Sequence, residues 1–140
     1  MNEKIDFNNI GLLILRVTTG MLMLVNHGFG KILAGKDRWE KLGNALTDLI
    51  GFPTLNVFFG FMASFAESIG AILIAIGLFT RSASVLLFIT MLVAIIKHFK
   101  DNEFAELAFI YWVLCLVFMM TGPGKLSVDN FFLSKIKNKK

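Results

Sequence analysis

Four long apolar stretches constrain the fold more than any other feature of this sequence. A helix needs about 20 apolar residues to cross roughly 30 Å of hydrocarbon, and 17 to 25 is the usual range. Stretches that meet or approach this length lie at about 9–29, 54–79, 82–97 and 104–121. The 140 residues are 56% hydrophobic, more than a water-soluble domain of this size can bury. We therefore predict an all-α integral membrane protein, a four-helix bundle forming one domain over 1–140.

The connections between the stretches predict how the bundle is arranged. Only Thr80 and Arg81 separate the second and third spans, which predicts an antiparallel helical hairpin. Between the first two spans, apolar residues recur at helical spacing opposite polar ones, which predicts a short amphipathic helix on the membrane surface. An irregular loop is the alternative. The apolar positions of this segment are Trp39, Leu42, Leu46, Leu49 and Ile50.

The chain after the fourth span predicts a basic interfacial tail over 125–140. Gly122, Pro123 and Gly124 end the span, because proline cannot continue a helix. Five of the 14 Lys and Arg lie in the last 16 residues, beside Phe131 and Phe132. This pattern is typical of a segment that meets anionic lipid, and no basic stripe with interleaved aromatics indicates nucleic acid. The Lys and Arg counts, seven against six by side, weakly favour cytoplasmic termini.

Several ionisable residues lie within or at the ends of the spans, where each costs at least about 2.5 to 3.5 kcal/mol. Arg16 and His27 are 11 residues apart and share one helix face with Gly20 and Met23. Glu67 lies midway along the second span among small residues, which predicts a face between helices. Counting residues from the cytoplasmic ends of the two spans, we predict that Arg16 pairs with Glu67.

A second polar group is predicted at the opposite end of the bundle, where His27, Lys31, His98 and Glu106 gather. Such a group could form a proton relay, hold a polar head group or bind a metal. For the lysines, reaching to the interface is the simpler explanation. We predict no metal, because two histidines in no recognised ligand spacing are too few. The single Cys115 excludes an internal disulfide or self-contained dithiol chemistry.

Five segments together resemble a DoxX-type membrane protein, a family related to the small subunit of thiosulfate:quinone oxidoreductase. They are LRVTTGMLMLVNHGFGK, ESIGAILIAIGLFTR, TMLVAIIKH, ELAFIYW and GPGKLSVD, and they run in the family's order from Leu15 to Asp129. The polar signature that the resemblance carries over falls on the residues already singled out, and on a further set with structural roles. That further set is Gly70, Arg81, Gly122, Pro123, Gly124 and Asp129.

The resemblance implies a multi-pass protein of the bacterial cytoplasmic membrane, in a redox system with a soluble or membrane partner. Our leading hypothesis is a subunit that binds a quinone or similar lipid-soluble carrier, has no intrinsic cofactor, and could form a homo-oligomer. Alternatives are a small-solute or proton transporter, and a membrane anchor for a soluble enzyme. The predicted catalytic residues are His27, Glu67, His98 and Glu106; the predicted ligand-binding residues are Arg16, Lys31, Glu67 and His98.

Overall fold

A computed structural model describes residues 6–137, and this part of the chain is helical with no strand. Three of its helices are long and apolar enough to cross a membrane, and a fourth is apolar but has 16 residues, about 24 Å in length. The all-α prediction is confirmed. The helices are α1 (Phe7–Leu33), α2 (Lys36–Ile50), α3 (Pro53–Ile76), α4 (Thr80–Lys100), α5 (Glu106–Thr121) and α6 (Val128–Lys137).

The turn between α3 and α4 lies earlier than predicted. Gly77 adopts a left-handed conformation (φ 75°) that ends α3, and Phe79 follows with φ 48°. Thr80 and Arg81 therefore form the first turn of α4 and not the break. The left-handed glycine gives the physical reason, because it allows a tight helix end that other residues reach only with strain.

Helices α1 and α3 run antiparallel at very short backbone distance. A Cβ added at Gly28 would lie 2.0 Å from the carbonyl oxygen of Glu67, and one at Gly20 would lie 2.4 Å from that of Ala71. Each helix also contains a π turn, at Leu24–Gly28 and Ala66–Gly70, and the two turns face each other. This contact brings His27 and Glu67, one from each π turn, to the same level of the bundle.

Helix α2 packs lengthwise against the first half of α3. Glycines make the contact possible, since a Cβ at Gly43 would clash with Asn56 and one at Gly60 would clash with Trp39. The pairing of 43 with 56 and 39 with 60 makes the two helices antiparallel. The predicted helix is therefore present, and much of its inner face contacts protein. Its position at the membrane surface stays a prediction.

Helices α4 and α5 form the second antiparallel pair, joined by residues 101–105. Their buried side chains meet those of α1 and α3 in a core that includes Met23, Ile74, Leu87 and Phe118. Cys115 is buried in the same core. The core lies between the two ends of the bundle, so the polar groups divide into one set above it and one below.

The start of α1 lies beside the segment that follows α5. Lys125 N donates to Asn9 Oδ1 at 2.8 Å, and Lys125 Nζ donates to Asp6 Oδ2 at 3.3 Å. The Lys125 ammonium holds the pKa of Asp6 below its usual value. Both ends of the described chain therefore lie at the same end of the bundle. We refer to it as the terminal end, and to the other as the distal end.

Helix α6 extends the terminal end and exposes Phe131, Phe132 and Leu133. Lys135 lies over the Phe131 ring at 4.7 Å from its centroid. Exposed apolar side chains beside a lysine suit the predicted interfacial tail. The last basic residues of that tail, Lys139 and Lys140, lie outside the described residues.

Candidate functional site

Arg16 does not pair with Glu67, and this prediction is wrong. Arg16 is fully buried at the terminal end, where its Nη2 donates to the carbonyl oxygen of Leu126 at 2.5 Å. Its guanidinium also packs against Gly77, at which a Cβ would lie 1.9 Å from Nη1. Glu67 lies level with Gly28, and 12 residues of α1 separate Gly28 from Arg16, about 18 Å along the helix. An arginine side chain cannot span that distance.

The residues predicted to be structural gather around this buried arginine. Asp129 interacts electrostatically with the Arg16 guanidinium. Its Oδ1 accepts a hydrogen bond from Phe79 N at 3.1 Å, and its own backbone N–H donates to Gly77 O at 3.0 Å. Gly122 packs against the Arg81 guanidinium. The glycine- and proline-containing segment after α5 therefore folds back over the α3–α4 turn. Gly70 packs close to α4 instead, where a Cβ would lie 4.0 Å from Ala83 O.

Glu67 forms an ion pair with Lys31 instead. Glu67 as a whole is 4% exposed, and Lys31 Nζ donates to its Oε2 from the last turn of α1. Trp39 of α2 fixes this turn, because its Nε1 donates to the carbonyl oxygen of Lys31 at 3.0 Å. The ammonium group compensates the buried carboxylate, because an unpaired charge at a buried position is strongly unfavourable.

A cavity of about 460 Å³ lies on one side of the ion pair, between α2, the first half of α3 and α4. We call it the apolar cavity. Lys31 and Glu67 form its inner polar end, and Lys41, Lys97 and His98 are the other ionisable residues of its lining. Its apolar walls come from Leu42, Leu46, Phe58, Phe59, Met62, Ala63, Leu86, Ile89 and Val93, together with smaller contributions from Gly43, Ala45, Thr90 and Ala94.

A second cavity of similar volume lies on the other side of the same ion pair, between α1, α4 and α5. We call it the polar cavity. It brings together all the predicted distal residues, His27, Lys31, His98 and Glu106, and adds Glu67. The rest of its lining comes from Met23, Met91, Ala94, Phe104, Ala105, Leu107, Ala108 and Tyr111. The exposed Phe104 and Glu106 place its opening at the distal end of the bundle.

Comparison with known proteins assigns these features to a family. The sequence model described as DoxX matches residues 11–99, which include α2, α3, most of α1 and α4, and the Lys31–Glu67 pair. The chain belongs to the DoxX family. A Bacillus subtilis (strain 168) protein named "Putative oxidoreductase CatD" is 31% identical over 141 residues, covering 99% of this chain and 96% of that protein.

A second relative comes from Haemophilus influenzae and carries the name "Uncharacterized protein". It is 32% identical over 144 residues, covering 96% of this chain and all of that protein. No solved structure matches the chain. The match shows that this is a membrane protein of the DoxX family, and the site must be interpreted from its own geometry.

Three residues of this DoxX chain that sequence reasoning did not assign to the site contribute to it. Glu103 accepts or shares a hydrogen bond with His98 Nδ1 at 3.0 Å, so the partner of His98 comes from the α4–α5 loop. The Tyr111 ring meets the His27 ring edge-on at 6.0 Å between centroids. Trp39 anchors Lys31 as described above. The five-residue spacing of His98 and Glu103 across a helix end was a usable signal. The Trp39 contact crosses the turn between α1 and α2, and only the His27–Tyr111 contact joins segments distant in sequence.

No group of three or more His, Cys, Asp and Glu side chains in residues 6–137 is close enough to hold a metal ion. The two distal histidines have different neighbours, since His27 packs on Tyr111 and His98 contacts Glu103. What the arrangement offers is a buried, charge-paired carboxylate between two cavities. Such a group can bind a polar head group, or carry a proton, at the inner end of an apolar pocket.

Proposed function

We propose that this DoxX protein is a membrane subunit of a redox system that binds a quinone or a similar lipid-soluble carrier. The observation that carries the proposal is the apolar cavity with the Lys31–Glu67 ion pair at its inner end. Protons are handled there with a partner oxidoreductase. The word oxidoreductase in the name of the B. subtilis relative is compatible with such a role.

The shape and lining of the apolar cavity suit a carrier with an apolar tail and a polar ring. Its volume of about 460 Å³ falls within the usual range of about 300 to 1,000 Å³ for small-molecule sites. Phe58 and Ile89 are exposed on the outer surface and also line the cavity, so the cavity opens toward the side where lipid would lie. A molecule dissolved in the bilayer could enter sideways, without crossing water.

The polar end of the cavity supplies the contacts that a quinone ring needs. A bound quinone accepts two electrons and two protons. Lys31 Nζ can donate a hydrogen bond to a ring oxygen while it remains near Glu67, and His98 offers a second polar group on the α4 wall. Because the sequence has one cysteine and therefore no dithiol pair, we assign the supply of electrons to the partner.

The alternative of a transporter lost its main support in this structure. The predicted Arg16–Glu67 pair would have given a transporter its charged site inside the membrane, whereas the two residues lie at opposite ends of the core. We propose further that the protein crosses the bacterial cytoplasmic membrane four times with cytoplasmic termini, α5 being the shortest span. Two bacterial relatives support the bacterial setting.

The proposal is tested by titrating a short-chain benzoquinone into the purified protein in lipid nanodiscs. We expect saturable binding, and the cavity-filling Ala63→Trp variant should weaken it at least tenfold, or about 1.4 kcal/mol. Ile110→Trp is the matched control, because Ile110 is exposed on α5 and lines neither cavity. His27→Ala should also bind normally, since His27 lines only the polar cavity. Unsaturable partitioning of the quinone by the unmodified protein would remove the proposal.

A further inference from the structure

The two cavities share one wall. Lys31, Glu67, Ala94 and His98 line both, and the Lys31–Glu67 ion pair forms the charged part of that wall. The cavities open in different directions, because Phe58 and Ile89 lie at the opening of one and Phe104 and Glu106 at the opening of the other. The apolar cavity opens toward lipid, because apolar side chains surround its opening. The polar cavity opens among ionisable side chains at the distal end.

We propose that the polar cavity is an aqueous vestibule through which protons reach Glu67, and that the Lys31–Glu67 pair separates this vestibule from the carrier in the apolar cavity. The inference deepens the proposed function and rests on it for the destination of the proton. The water-filled vestibule itself can be tested without any carrier.

The residues around Glu67 suit this role. The ionisable groups that line the two cavities with Glu67 are Lys31 and His27 from α1, Lys41 from α2, Lys97 and His98 from α4, and Glu106 and Tyr111 from α5. Of these, His27 and Glu106 line only the vestibule, whereas Lys41 and Lys97 line only the apolar cavity. Side chains that can carry a proton therefore lie on the vestibule side, two lysines lie on the carrier side, and Lys31 and His98 lie on the shared wall.

The proton transfer uses Glu67, vestibule water and the carrier. A proton from vestibule water binds a carboxylate oxygen of Glu67, which removes the charge attraction to Lys31 and frees the carboxyl to turn. The carboxyl then gives the same proton to a reduced ring oxygen of the carrier, and Glu67 returns to its ion pair. The electrons come from the partner oxidoreductase. The π turn that carries Glu67 is a backbone feature often found where a side chain must be positioned for function.

Cysteine labelling tests the vestibule directly. In a Cys115→Ala background, single cysteines are placed at Ala108 in the vestibule, at Ala63 in the apolar cavity and at exposed Val113 on the outer face of α5. Each variant in nanodiscs is treated with a negatively charged, membrane-impermeant methanethiosulfonate. We expect Ala108→Cys to react at least about tenfold faster than the other two, because the thiolate reaction requires water. Equal rates at the three positions would overturn the proposal.

Proton uptake tests the role of Glu67. The carrier bound to the protein is reduced by a rapid chemical pulse, and a pH dye follows the protons taken up. With the carrier site saturated, Glu67→Gln should slow uptake at least about tenfold. Glu40→Gln, on the exposed side of α2, is the control. Normal uptake by Glu67→Gln would overturn this inference while leaving the proposed function standing. Absence of carrier binding would instead remove the proposed function, and the labelling result would still decide the vestibule.

Discussion

Removing one partner of the Lys31–Glu67 pair should destabilise the protein by amounts that depend on which partner is removed. The Glu67 side chain is 5% exposed and is held on a packed π turn, whereas the Lys31 side chain is 20% exposed on the last turn of α1. Lys31→Met therefore leaves a buried carboxylate without its cation, which costs about 3 to 5 kcal/mol. Glu67→Gln leaves an ammonium that can turn outward on its flexible stem, and should cost only about 1 to 2 kcal/mol.

The double variant distinguishes the pair from two independent effects. Lys31→Met with Glu67→Gln contains no unpaired charge, so it should be more stable than Lys31→Met alone, with a coupling energy of about 2 kcal/mol. Arg16→Met combined with Glu67→Gln is the control. Because Arg16 and Glu67 lie about 18 Å apart along the bundle, their effects should add to within about 0.5 kcal/mol.

The assay is equilibrium unfolding of purified protein in mixed micelles with an increasing fraction of sodium dodecyl sulfate, monitored by circular dichroism. Free energies of unfolding for the parent, the two single variants and the double variant close the thermodynamic cycle. Additive effects of the Lys31 and Glu67 changes would refute the ion pair as we describe it. Coupling between Arg16 and Glu67 would refute the separation of the two ends.

Three other changes test the packing around the site, each by thermal unfolding in detergent. Gly28→Ala should lower the stability by at least about 1 to 3 kcal/mol, because its Cβ would lie 2.0 Å from a carbonyl oxygen of α3. Gly30→Ala is the control and should be near neutral, because nothing lies within 4 Å of its Cβ. Equal effects of the two changes would contradict the close contact. Asp129→Ala should cost about 1 kcal/mol by freeing Phe79 N, and Asp129→Asn, which keeps the acceptor, should recover most of it. Trp39→Phe should cost about 1 kcal/mol by removing the hydrogen bond to α1, and an unchanged melting temperature would argue against that anchor.

The hydrophobic pattern was sufficient to predict the apolar helices, because a chain with so much apolar surface must place it in lipid or in a protein core. The face of α1 that carries Arg16, Gly20 and Met23 was also predictable from helical periodicity, and all three residues are buried. The distal group of His27, Lys31, His98 and Glu106 followed from their places at helix ends. These predictions depend on local spacing, which the sequence contains directly.

The pairing of the buried charges was not predictable in the same way. The estimate of depth assumed that α1 and α3 begin and end at the same planes. In the structure, the first half of α3 packs on α2 instead, so Glu67 lies near the distal end of α1 and not opposite Arg16. The offset depends on glycine contacts between distant segments, and on two π turns that no simple periodicity indicates.

The boundary between α3 and α4 shows the same limit on a smaller scale. Thr80 and Arg81 are polar and seemed to interrupt the apolar pattern, yet the chain turns at Gly77. Asp129, about 50 residues later in the sequence, stabilises the turn at this position by hydrogen bonding to both of its sides. A turn stabilised by a distant segment leaves little trace in its own sequence.

Photolabelling with an azido-quinone tests the central claim, that the apolar cavity holds a lipid-soluble carrier, most directly. The labelled protein in nanodiscs is digested and the modified residues are located by mass spectrometry. The account predicts modification at cavity-lining positions such as Met62, Ile89 and Val93, suppressed by excess unmodified quinone and lost in the Ala63→Trp variant. Label found only on outward-facing residues such as Ile110 and Val113, and unaffected by competition, would contradict it.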